Sequence, residues 1–195
     1  AHCVDRPLNT YDVVLGAYNR DAGEGAVEQR IRASRAIPHS GYNKGTKVND
    51  IALVELSEEA KLGPCVGTAC LPHRDVPAGT ACVITGWGAT KFWDDLTPNL
   101  MEGHVKIIDH SECRKQYGDK LTDAMICAQG ESKTGVVDAC QGDSGGPLVC
   151  DQGDGDYAVY GATSWGDGWG KRDHPGIWTR ITSYMDWIST HTGLA

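Results

Sequence analysis

Glycine cuts this chain into short pieces. Its 25 glycines are scattered without period between apolar runs too short for a globular helix, a pattern of many strands joined by tight turns rather than of bundled helices or collagen. Segments 11–15, 31–37, 51–56, 81–86, 104–108, 147–150, 159–164 and 176–180 read as strands bounded by turn residues. The tail differs. Ile181, Tyr184, Met185 and Ile188 recur at helical spacing, which predicts a terminal helix docked on the core, capped by Thr182 or Ser183. A second, shorter helix is expected over 113–117, and the proline- and glycine-rich stretch 71–80 reads as the crossover between two β modules.

A chain of 195 residues with 40% hydrophobic and 23% charged residues can bury roughly 70% of its unfolded surface in one or two domains. No apolar stretch approaches the length of a membrane span. The net charge of −8, with acids gathered in loops such as 55–59 and 151–156, argues against nucleic acid or an anionic membrane as partner. It favours encounter with basic segments. The eight cysteines form no zinc-like pairs, since Cys65 and Cys70 are too far apart for Cys-x-x-Cys. Their scatter reads as disulfides made in an oxidising compartment, with buried free thiols as the rival reading.

Three short motifs carry chemistry. In Asp138-Ala-Cys-Gln-Gly-Asp-Ser144-Gly-Gly-Pro147 a serine sits among glycines on a tight turn, where backbone N–H groups can converge beside an exposed hydroxyl. Serine is a weak nucleophile near neutral pH, so it needs a base, and the base needs a group to orient it. Ala1-His2-Cys3 and Asn49-Asp50-Ile51-Ala52-Leu53 supply both. The order His, Asp, Ser is one of the known triad orders. On these motifs the chain resembles the trypsin/chymotrypsin family of serine proteases, which work by a Ser-His-Asp triad.

The resemblance implies an all-β fold of two antiparallel six-stranded Greek-key barrels with a C-terminal helix. Residues 1–75 would be the remainder of a truncated first barrel carrying His2 and Asp50. Residues 76–195 would be the second barrel, with Ser144, the specificity pocket and the terminal helix. It further implies that an N-terminal portion of the family's mature chain precedes His2. Ser144 would be the nucleophile, His2 the general base and then acid, and Asp50 the carboxylate that fixes the imidazole tautomer. Gly142 and Ser144 would donate backbone N–H groups to the oxyanion. Asp143 would bind the ammonium freed on activation. Asp138 would floor a trypsin-like pocket for Arg or Lys, walled by Ser164, Trp165, Gly166 and Gly176, with Ala139 beside it and Gln141 at its mouth. Ala139 removes a hydroxyl that some relatives carry, which favours the bidentate guanidinium over the ammonium.

The pattern is not followed everywhere. Trp169 stands where the family usually has a cysteine bridging to the one before the nucleophile, which leaves Cys140 without its family partner, and Trp178 stands in place of a tyrosine. Family pairing implies the disulfides Cys82–Cys150 and Cys113–Cys127. Cys3 would await a partner from the preceding segment, and Cys65 and Cys70 would either bridge locally or tether that segment. No cofactor is expected. Calcium is disfavoured in the loop 16–28, where Glu24 and Glu28 could ligate but Ala17 replaces an expected glutamate. The implied function is a secreted serine endopeptidase acting on proteins or peptides with basic residues, open to protein inhibitors. The alternative is a catalytically impaired, protease-like binding or regulatory protein, or an inactive fragment of a protease.

Overall fold

The computed structural model describes residues 1–5, 7, 11–22, 25, 27–89, 95–132, 135–139, 141–153, 155–168 and 173–194. Strands β1 (Asp12–Leu15), β2 (Gln29–Pro38) and β3 (Ala52–Leu56) form an antiparallel sheet in sequence order. In β2, buried Ile31 and Ala33 alternate with exposed Arg30, Arg32 and Ser34, the signature of a strand covered on one face. The phase breaks at a bulge between Ala33 and Arg35, where the Ser34 hydroxyl donates to the Glu55 and Leu56 carbonyls.

The remaining strands are β4 (Ala81–Gly86), β5 (Met101–Ile108), β6 (Met125–Ser132), β7 (Gly135–Val137), β8 (Pro147–Asp151), β9 (Tyr157–Trp165) and β10 (Gly176–Arg180). Their order is β10-β9-β8-β4-β5-β6-β7, and β10 also pairs with β6. Six strands thereby close on themselves, removing sheet edges, while β7 extends β6 outside the ring. Val105, Ala128, Leu148, Tyr160 and Trp178 fill the interior, with Val76 of the crossover among them. Cys82 and Cys150 are register partners on β4 and β8 and are disulfide-bonded.

Two strands, β6 and β7, go beyond those expected from sequence. Met125, Ile126, Cys127 and Ala128 are all buried, because β6 pairs on both sides within the ring and is covered on both faces. Such a strand leaves no alternation to read. Cys127 of β6 bonds to Cys113 on α1 (His110–Tyr117). Asp109 starts that helix by accepting from the N–H groups of Ser111 and Glu112. Cys65 and Cys70 carry free, exposed thiols, so they do not bridge to each other.

The tail stripe is present but differently wound. Ile181–Tyr184 form a 3-10 turn, and α2 (Met185–Thr192) begins only after it. Neither Thr182 nor Ser183 caps the helix. Tyr184 occupies the cap position without a side-chain capping bond, and the Thr182 hydroxyl donates to Asp75 Oδ1 instead. The stripe packs Ile181, Tyr184 and Ile188 around Ile51, next to Asp50, so the tail fastens the start of β3 to the ring.

Candidate active site

His2 opens a short 3-10 turn, His2–Val4, and Asp50 lies 4% exposed just before β3. His2 Nδ1 donates to Asp50 Oδ2 at 2.6 Å, and the main-chain nitrogens of Ala1 and His2 each donate to Oδ1 at 2.8 Å. The Ser164 hydroxyl donates to Oδ2 at 2.7 Å, and the Thr179 hydroxyl donates to the Asp50 carbonyl at 2.7 Å. Burial pushes the Asp50 carboxyl up, but hydrogen bonds, led by those from His2 and Ser164, outweigh it and hold the carboxyl well below its usual range. The Asp50 hydrogen bond, helped by the Cys3 side chain, raises His2 from 6.5 to about 9. With Nδ1 committed to a carboxylate, the neutral ring keeps its free lone pair on Nε2.

Ser144 lies on an exposed turn with Gln141, Gly142 and Gly145. Gly142 has φ +100°, a conformation that L side chains rarely adopt, and a Cβ there would collide with the Leu96 side chain. The turn is laced to β9: Gly145 N–H donates to the Thr163 carbonyl, Thr163 N–H donates to the Gly146 carbonyl, and the Thr163 hydroxyl joins it there at 3.0 Å. On the other side, Gly88 N–H donates to Asp143 Oδ1 at 2.8 Å, and Ala89 N–H donates to the Gln141 carbonyl. A Cβ on Gly145 would stand 3.3 Å from Cys3 Sγ, which places the serine turn directly against the histidine turn. Consecutive β9 residues thus hold both parts, Thr163 the Ser144 turn and Ser164 the Asp50–His2 pair.

Asp138 lies at the base of β10. A Cβ on Gly176 would collide with Asp138 Oδ1 and with the Trp178 ring, so only glycine leaves the carboxylate room. Trp178 is fully buried, and its indole N–H has no hydrogen-bond partner among the described residues. Trp165 meets the Tyr117 ring edge-on at 5.0 Å, and Tyr117, pushed up to about 12 by burial, donates its hydroxyl to the Pro175 carbonyl. Ser164 is turned differently from a simple pocket wall: its side chain faces Asp50. Ala139 is buried in the ring core. Cys140, Trp169 and Glu24 lie outside the described residues. Glu28 is described, but among the described residues no three His, Cys, Asp or Glu side chains gather as metal ligands.

Sequence reasoning did not single out Thr163, Thr179, Tyr117 or the Tyr184–Asn49 hydrogen bond. The Thr179 and Ser164 bonds to Asp50 span 129 and 114 residues, and no local pattern announces such partners.

A trypsin family model matches residues 1–188. Trypsin I-P1 of Gallus gallus is 40% identical over 191 residues, covering 97% of this chain and 73% of that protein. Trypsin of Xenopus laevis is 40% identical over 189 residues, with 96% and 73% covered. The solved structure of neuropsin, a serine protease expressed in the limbic system of mouse brain, superposes with a TM-score of 0.86 at 36% identity, over 98% of this chain and 82% of that one. Its likeness accounts for the closed ring, the second sheet and the C-terminal helix as a chymotrypsin-like fold. With the His2–Asp50 pair and the Ser144 turn held by one strand, these likenesses converge: the chain belongs to the trypsin family of serine proteases.

Proposed function

We propose that this chain is a serine endopeptidase that cleaves after Arg and Lys, Arg the more readily. The observation that carries the reading is the 2.6 Å contact between His2 Nδ1 and the buried Asp50, which orients the ring with Nε2 available as base. Ser144 Oγ attacks the substrate carbonyl carbon as its proton passes to His2 Nε2. The oxyanion lies between the N–H groups of Gly142 and Ser144, and such donors are worth about 3 kcal/mol each in the transition state. The peptide C–N bond breaks as Nε2 returns the proton to the leaving amine. Water then repeats the sequence on the acyl ester. Asp138 receives the basic side chain in space that Gly176 leaves open, and Gln141 lies at the mouth. Protein substrates, protein inhibitors and a secreted setting accompany this reading, the last supported by the two disulfides.

One observation favours a second reading, a protease-like binding protein with little activity at neutral pH. The Asp50 hydrogen bond raises His2 to about 9, which favours the imidazolium near neutral pH and leaves less of the neutral base to accept the serine proton. A fluorophosphonate probe decides between them. Stoichiometric labelling at Ser144, increasing towards pH 9 and lost in Ser144→Ala, supports the enzyme. No labelling across that range overturns it.

A further inference from the structure

An open cleft of about 710 Å³ adjoins Trp165 and Gly166. Val48 and Trp165 supply apolar surface, and Lys47, Lys120, Asp119 and Asp167 supply its charges. The count of two against two misstates the balance. Asp119 stands 3.6 Å from Arg114, a cation outside the cleft lining. Among the described residues Lys47, Lys120 and Asp167 have no ion-pair partner, so with Asp119 offset by Arg114 the lining carries two lysines against one aspartate.

We propose that this cleft selects substrates with acidic side chains in the residues preceding the cleaved Arg or Lys, with Lys47 and Lys120 as their partners. This rests on the reading of Ser144 and Asp138 given above. Trp165 and Gly166, expected as a wall of the Asp138 pocket, also line this cleft, and in this proposal the residues preceding the cleaved Arg or Lys run along them. An extended peptide turns alternate side chains to one face, so acids at more than one preceding position can meet the lysines. The chain as a whole carries −8 and repels acidic peptides at long range. The two lysines act within the cleft, at distances that salt screens less.

The test measures binding of two fluorescent peptides, Asp-Asp-Arg-Gly and its near-isostere Asn-Asn-Arg-Gly, to the Ser144→Ala chain by anisotropy at low ionic strength. The acidic peptide is expected to bind about threefold to tenfold tighter, as two exposed ion pairs allow. That preference should fall to near unity in Lys47→Asn/Lys120→Gln. Lys47 has φ +58°, which asparagine tolerates, and the exposed Lys120→Gln alone should lose part of the preference whatever happens at residue 47. A peptide with the two acids placed after the Arg should show no dependence on either lysine. Equal affinities for the two peptides, or a preference that survives the double substitution, overturns the inference. Because binding is read on the Ser144→Ala chain, a failure of fluorophosphonate labelling refutes the catalytic reading without altering this result.

Discussion

Changing Ser164 to alanine removes the hydroxyl that donates to Asp50 Oδ2 at 2.7 Å in a buried setting. The acceptor is a charged carboxylate 4% exposed, so water cannot replace the donor without opening the structure. A hydrogen bond to a charged group contributes about 1.5–3 kcal/mol, and Ser164→Ala is expected to destabilise the fold by about 2 kcal/mol. Because the Ser164 bond is one of those holding the Asp50 carboxyl low, its loss raises that carboxyl towards its ordinary value. The cost is therefore present in full above the usual carboxyl range and shrinks as pH falls through the variant's folded pKa. Urea unfolding followed by tryptophan fluorescence at pH 7 and at pH 3 measures both quantities. In an Asp50→Asn background the acceptor is neutral, and the same substitution should cost only about 1 kcal/mol. A cost below about 0.5 kcal/mol in the parent, or equal costs in both backgrounds, refutes the argument that Ser164 supports the buried charge.

Three further outcomes follow from the geometry. His2 is raised to about 9, so stability from its pairing with Asp50 is complete below the unfolded value near 6.5 and is lost as pH rises through 9. The neutral base grows over the same interval, so kcat/KM on an Arg ester should climb with a midpoint nearer 9 than 6.5, and a pH–rate profile levelling off by pH 7 contradicts this. Asp138→Ser should abolish most discrimination between Arg and Leu or Phe esters while fluorophosphonate labelling of Ser144 persists, and a retained Arg preference removes Asp138 from the pocket floor. Cys113 and Cys127 close a separation of 14 residues and Cys82 and Cys150 one of 68. Their replacement by serine pairs should cost about 3 and about 4 kcal/mol respectively in chemical unfolding, and costs in the reverse order argue against loop closure as their main contribution.

Much was legible from the residues alone. The bounds of β4 and β10 match the segments 81–86 and 176–180 read from sequence, because turn residues delimit them sharply. The buried side of the tail was readable as a stripe at Ile181, Tyr184 and Ile188. The two disulfides implied by resemblance are formed. Strand β6 was hidden because burial on both faces erases alternation. The cap at Thr182 or Ser183 was misjudged because a 3-10 turn absorbs the first four residues of the stripe.

The sequence by itself determined which residue types the candidate site would have: a serine on a glycine turn, a histidine beside Cys3, an aspartate ahead of an apolar strand. Only the tertiary structure decided how they are held. Closure of β10 on both β9 and β6 brings Thr179 under the Asp50 carbonyl and places Ser164 and Thr163 side by side between the aspartate and the serine turn. A hydroxyl's partner more than 100 residues away is fixed by strand register and ring closure, which are properties of the whole chain. No window of sequence contains them, and the shifted protonation of His2 and Asp50 follows from that same burial and pairing.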